Sequence, residues 1–270
     1  MRTLFLTRKS LLSFVVILFL ISSVPVAFAV GPEVSVEPIP LDPEVRTEIE
    51  KYLGAGVLGK PVEPPIIEDP IAFMDLGPEY DFLVKMVHGE KKDQVHTVRS
   101  RRLERVGEDD DNAAWSLRVG EETWFGETTA DGDFVQHSGS ETGHGILVRY
   151  DPPQPIITKG MVPGSSNTTR INVQVSDLAR PERSTYRGHL DLVHSYLGAY
   201  EVTVPAGRFE AALFEWKYSG KIGPANIRDV QYWFLAKNYG LIARIDKLHV
   251  SAFLIYQQRS RNAGVLVERR

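Results

Sequence analysis

The stretch from Val202 to Ile245, VTVPAGRFEAALFEWKYSGKIGPANIRDVQYWFLAKNYGLIARI, narrows the possible folds more than any other part of this chain. It holds strand-length runs, each closed by a turn signal. Pro205 and Gly207 end the first run, because proline cannot donate to a central ladder and glycine relaxes the backbone where it turns. Phe209 to Tyr218 then alternates, with Leu213, Glu215 and Lys217 on one side and Phe214, Trp216 and Tyr218 on the other. Gly220, Gly223 and Pro224 supply the next reversal before Tyr232, Trp233 and Phe234, and Asn238 with Gly240 close that run ahead of Leu241 to Ile245. Strands joined this tightly must run antiparallel. The stretch is an antiparallel meander carrying large aromatic side chains, and nothing in it is a catalytic constellation.

The same punctuation extends through most of the chain. Its 22 glycines and 17 prolines fall mainly between strand-like runs, which points to many short elements. Asp81 to His88 and Gln94 to Val106 read as a hairpin around the turn Gly89 to Asp93. Trp115 to Val119, Thr123 to Thr128, Phe134 to His137 and Gly145 to Tyr150 follow as short strands. Asp151-Pro152-Pro153-Gln154-Pro155 reads as a rigid extended crossover that stops the pattern. Arg170 to Ser176 resumes it. Tyr186 to Ser195 fits both a helical face and a strand, and the alternation of Tyr186, Gly188, Leu190 and Leu192 favours the strand. Lys247 to Gln258, with Val250, Phe253 and Ile255, and Val265 to Val267 end the sheet. One helix is expected, with Asp42 as cap, Pro43 at its first position, Gly54 past its end and an apolar stripe of Val45, Ile49, Tyr52 and Leu53.

The first 29 residues read as a leader. Arg2, Arg8 and Lys9 precede the apolar Leu11 to Ile21, and Pro25 with Ala27-Phe28-Ala29 forms a small-residue cleavage site. A retained anchor is the competing reading, which Pro25 and the A-x-A pattern disfavour. The expected organisation is a signal peptide at 1–29, a proline-rich linker with a short helix at 30–77, and a single antiparallel β domain at 78–270, with no membrane span after cleavage. Loss of three cationic residues takes the formal charge from −4 to −7, which argues against a nucleic-acid partner. With 0 cysteines the domain has no disulfides and no lipid-modified cysteine, so stability must come from its core. This combination fits a bacterial periplasm, and Asn167-Thr168-Thr169 is then a polar loop and not a glycosylation site.

Few residues offer chemistry. Asp109, Asp110, Asp111 and Asn112 are consecutive and lack the glycine bend and terminal glutamate of a calcium loop, so they read as a solvated turn. His137, Ser140, Glu141 and His144 lie close in sequence but straddle the glycines of a hairpin, without zinc-motif spacing. A G-x-S-x-G elbow and phosphate-binding glycine loops are missing from the sequence. No catalytic residue, metal site or cofactor is expected. Trp216, Tyr218, Trp233 and Phe234 are the candidate binding residues: they either fill a core or line a concave apolar surface for a hydrophobic ligand.

The order of motifs resembles the TapB-like family of bacterial envelope domains of unknown function. The resemblance rests on Arg149-Tyr150-Asp151-Pro152-Pro153, a turn at Gly160, Glu201 to Phe209 with its VTVPAG-x-F hairpin, and Tyr232-Trp233-Phe234 leading to Tyr239-Gly240-Leu241-Ile242. It runs from about Gly120 to the end of the chain, with no counterpart for Val30 to Gly77. Ala236-Lys237-Asn238 replaces a commoner proline-containing turn, and Asp109 to Asp111 is peculiar to this chain. The resemblance implies a mainly β fold, one curved antiparallel sheet shaped as a half-barrel like the lipoprotein carriers of the bacterial envelope, and it assigns no catalytic residues. The expectation is a secreted, periplasmic, non-enzymatic binding or envelope-assembly domain for a hydrophobic ligand or an envelope protein. An envelope-polymer hydrolase using Glu141 and His144, or a purely structural component of an envelope complex, are the alternatives.

Overall fold

Alternation along a strand decides which way each side chain faces, and the number of strands decides how much space they enclose. In the computed structural model, which describes residues 36–74, 81–103, 115–252 and 256–270, these two quantities define the protein. The leader, the Asp109 to Asn112 cluster, and Phe253 and Ile255 lie outside the described residues. Residues Ser35–Arg270 form one compact unit. Helix α1 (Pro43–Leu53) comes first, capped as expected: the Asp42 carboxylate accepts from the Glu44 and Val45 amides. Strand β1 (Leu58–Val62) and helix α2 (Ile71–Met74) follow. The remaining strands run consecutively as β2 (Asp81–His88), β3 (Val95–Arg102), β4 (Trp115–Val119), β5 (Glu122–Thr128), β6 (Phe134–Glu141), β7 (Ile146–Ile157), β8 (Ser166–Asp177), β9 (Arg180–Val204), β10 (Gly207–Ile222), β11 (Ala225–Ala236), β12 (Gly240–Ala252) and β13 (Tyr256–Arg269).

Each of β2 to β13 pairs antiparallel with its sequence neighbours, and β13 pairs with β2 through Ala263↔His88, Val265↔Lys85 and Arg269↔Phe82. The sheet therefore closes into a 12-stranded up-and-down barrel, not the half-barrel expected from the sequence. Closure removes the free edges that a half-barrel would leave exposed to pairing with other chains. One gap remains, because β8 leaves β9 at Ser195; β1 takes its place further along, with Pro61↔Tyr200 and Val62↔Ala199. The Asp151 to Pro155 segment is also not a crossover. It lies inside β7, where a cis Asp151–Pro152 bond and a bulge carry the strand past the end of its β8 pairing at Asp151↔Asn172. Proline fits there because the N–H it lacks falls on the edge that β8 no longer covers.

Twelve strands enclose more room than ordinary side chains fill. One half of the interior is closed with aromatic rings. Trp216 lies 5.2 Å from Trp233 and 5.1 Å from the His194 ring, and Phe214 stacks on Tyr196 at 5.0 Å. Trp115 stacks on Phe134 at 4.3 Å, over Gly126, where a Cβ would overlap the indole and the Val135 carbonyl. The segment between β1 and α2 stops this end. Ile67 exchanges backbone bonds with Met161 and Gly160, and Phe73 of α2 meets Phe214 edge-on at 6.5 Å. Tyrosines tie the N-terminal residues down: Tyr196 donates to the Pro65 carbonyl, Tyr200 to that of Ile39, and Tyr232 to the Glu48 carboxylate of α1. Toward the opposite, hairpin-turn end, the inward side chains are only partly buried, and the barrel is hollow.

Candidate functional site

The hollow half is built by strict alternation. On β11, Ile227, Asp229, Gln231 and Trp233 share one face, and their cross-strand partners Gly220, Tyr218, Trp216 and Phe214 continue it on β10. β12 adds Leu248, Asp246 and Arg244 opposite Asp229, Gln231 and Trp233. Above the packed tryptophans Tyr218, Ile227, Asp229, Gln231 and Leu248, with Trp124 of β5, Gln136 of β6, Tyr150 and Gln154 of β7 and Leu190 of β9, surround a cavity of about 150 Å³. Trp124 stacks on Trp233 at 5.4 Å, so the floor of the cavity is continuous with the packed base.

Of the four aromatic residues expected at a binding site, Tyr218 lines this cavity, while Trp216 and Trp233 lie beneath it in the base. Phe234 is on the other face of β11 and fully buried. The polar members Asp229, Gln231, Gln136 and Gln154 did not stand out in the sequence. Period-2 alternation from Trp233 does reach Gln231 and Asp229, which was the available signal; Gln136 and Gln154 flank bulges that shift the period.

The electrostatics of the cavity centre on Asp229. Burial pushes its pKa up to about 6 and the Asp246 carboxylate adds to this, against the Gln231 hydrogen bond, the nearby Val230 N–H and Lys247. One carboxylate oxygen accepts from Gln231 Nε2 at 2.6 Å; the other, Oδ1, is buried with no hydrogen-bond partner. Burial, with Glu122 and Asp229 nearby, pushes the Tyr150 hydroxyl up to about 12. Tyr218 moves the same way, for burial and the charge of Asp229, so both phenols stay protonated. Arg244 lies 3.5 Å from Asp246 and supplies positive charge to this wall. Glu122 reaches solvent at the mouth, yet the surrounding wall still raises its pKa, with Arg244 opposing.

The hydrolase candidates are accounted for by turn structure. Glu141 accepts from the Gly143 and His144 amides and from His144 Nδ1 at 2.6 Å, closing the β6–β7 turn with the imidazole 81% exposed. His137 sits further along β6, 2.9 Å from the Ser138 hydroxyl, beside an outer-wall hollow of about 750 Å³ lined also by Arg149, Asp151, Gln174 and Arg187. Among the described residues no group of three or more histidines and carboxylates is placed to hold a metal ion.

No protein-family model matches the chain and no curated protein matches it, so neither comparison supports the TapB-like resemblance. Two of the solved structures similar to it are a Bacteroides fragilis protein described as exported, with a YmcC-like fold, and a Parabacteroides distasonis protein described as a lipoprotein. The first is 11% identical with a TM-score of 0.40, covering 73% of this chain and 98% of its own. The second is 14% identical with a TM-score of 0.38 and the same coverage. Among the described residues no helix is long and apolar enough to cross a membrane.

Proposed function

We propose that this chain is an exported, periplasmic binding protein that holds a small apolar molecule in the hollow half of its barrel without transforming it. The observation that carries the reading is the division of one interior into two halves, a base filled by Trp216, Trp233, Phe214 and Trp115 and a cavity walled by Trp124, Leu190, Ile227 and Leu248 with a few polar groups among them. Binding sites have this makeup: a preformed concave apolar wall with a small number of polar groups that orient the occupant. At about 150 Å³ the cavity suits a ring or a short chain and not a whole lipid. The leader pattern before Ala29 supports export. An environment-sensitive apolar dye of single-ring size should bind with a change in tryptophan emission, since Trp124 lines the cavity. Ile227→Trp, which fills the cavity from the mouth, should abolish binding while leaving the thermal transition in place. Undiminished dye binding to that variant would place the binding elsewhere.

A second reading, docking to an acidic envelope partner, is favoured by the outer wall. Arg228, His249 and Arg259 are in register across β11, β12 and β13, and Lys247 and Arg261 form the next rung. The three arginines are exposed and have no ion pair among the described residues, while Lys247 pairs with Glu48. These charges stand where a lipid-facing barrel would carry an apolar band. Despite its acidic balance, the protein should bind a phosphate-bearing cation exchanger at pH 7.5. The triple variant R228E/R259E/R261E should flow through; equal retention of both would exclude this wall.

A further inference from the structure

The polar atoms facing the cavity include donors, the protonated phenols of Tyr150 and Tyr218, and one charged acceptor that is left over, on Asp229. Gln136 Nε2 donates to the Ser138 carbonyl at 3.1 Å, Gln154 Nε2 to the Tyr218 hydroxyl at 2.8 Å, and Gln231 Nε2 to Asp229 at 2.6 Å. Two of these amide orientations are fixed by partners that can only accept, a backbone carbonyl and an ionised carboxylate. One hydrogen of each amide nitrogen is thus engaged within the wall. Asp229 Oδ1 is buried and unpartnered. A buried carboxylate oxygen with no donor is costly, and an occupant that brings an N–H group to it satisfies it.

Charge narrows the occupant further. The groups that face Asp229 are Tyr218 and Lys217 on β10, Gln231 on its own strand, Asp246, Arg244 and Lys247 on β12, Tyr150 on β7 and Glu122 on β5. Lys217 and Lys247 belong to the outward face, where they pair with Glu215 and Glu48. Inside, Asp229 and Asp246 outnumber Arg244, and Arg244 is paired with Asp246. An anion would meet the Asp229 carboxylate; a neutral apolar molecule would leave its Oδ1 unsatisfied.

We propose that the cavity takes a compact apolar body ending in a protonated amine, whose N–H group is received by the Asp229 carboxylate while the rings of Trp124, Tyr150 and Tyr218 surround its carbon skeleton. This rests on the binding-cup reading and names its ligand class. The carboxylate supplies a charge-assisted hydrogen bond, and aromatic walls favour a cation over a neutral isostere. Protonation of Asp229 removes that charge, so amine affinity is coupled to pH.

Cyclohexylamine, cyclohexanol and cyclohexanecarboxylate share a skeleton and differ in the group presented, so calorimetric titration of the mature protein with each separates the possibilities. At pH 7.5 the amine should bind at least about tenfold tighter than the alcohol, a single charge-assisted hydrogen bond being worth that much, and the carboxylate should bind weakest. Lowering the pH to 5 should weaken amine binding about tenfold, as expected for a carboxyl pushed up to about 6, and leave the alcohol unchanged. Asp229→Asn should bring amine and alcohol to equal affinity with the alcohol still bound, which shows that the cavity has survived the substitution. Equal binding of amine and alcohol to the unsubstituted protein, or tighter binding of the carboxylate, would overturn the amine assignment alone. Failure of all three compounds to bind would overturn the cup itself.

Discussion

Trp216→Ala should destabilise the protein by about 3–5 kcal/mol, one of the largest effects of any single substitution in the barrel. The indole is 2% exposed and sits between the His194 and Trp233 rings, with its Nε1 donating to the Pro155 carbonyl at 3.3 Å. Truncation removes the transfer energy of a whole indole and leaves a void that its neighbours cannot collapse into, because they project from the wall of a closed sheet. Collapse of that wall would require strands to change register, and register in a closed barrel is shared by every strand. Urea unfolding at pH 7.5 gives the value directly. Lys221→Ala, an exposed position on the outward face of the same strand, should fall within about 0.5 kcal/mol of the parent, as surface substitutions do. A loss below about 1 kcal/mol for Trp216→Ala would mean that the base of the barrel is not packed as a core.

The second large effect is acid lability at His194. The imidazole is 1% exposed, stacked on Trp216, and both ring nitrogens lack hydrogen-bond partners. Burial pushes its pKa down to about 3. The unfolded chain takes up a proton near pH 6.5, while the folded one does not until about 3. Its contribution is therefore fully retained above pH 6.5 and lost as pH falls, by about 3 kcal/mol at pH 4.5. Asp229 acts in the opposite sense: its raised pKa means that the folded state binds a proton first, so stability is gained as pH falls through about 6. The two trends offset each other in the parent protein, and variants separate them. His194→Phe keeps a stacked ring without buried nitrogens. Its advantage over the parent should grow from about 1–3 kcal/mol at pH 7.5 to several kcal/mol at pH 4.5. A constant difference across that range would mean that His194 does not titrate on unfolding as described.

Local signals in the sequence were reliable where the structure depends on local physics. Asp81–His88 and Trp115–Val119 have the bounds that turn residues and alternation imply, and α1 begins and ends at Asp42 and Gly54. Closure was not legible, because the Ala263↔His88 and Arg269↔Phe82 pairs join strands from opposite ends of the chain and leave no local trace. The same holds for β1, whose place is set by the point at which β8 leaves β9. Asp151 to Pro155 misled because proline was weighed without knowledge of which edge of β7 is paired. At the site, the alternation that set Trp216 and Tyr218 on one face was visible, but an inward Asp229 matters only once the opposite wall exists. A half-barrel would have left that carboxylate in water; the closed barrel buries it.

Native mass spectrometry of the mature protein, purified from its own envelope fraction and compared before and after organic extraction, tests the central claim most directly. The binding-cup account predicts a small adduct in the native sample that is lost on extraction and lost also from Ile227→Trp purified in the same way. An apo mass throughout, or an adduct that persists in Ile227→Trp, would contradict it.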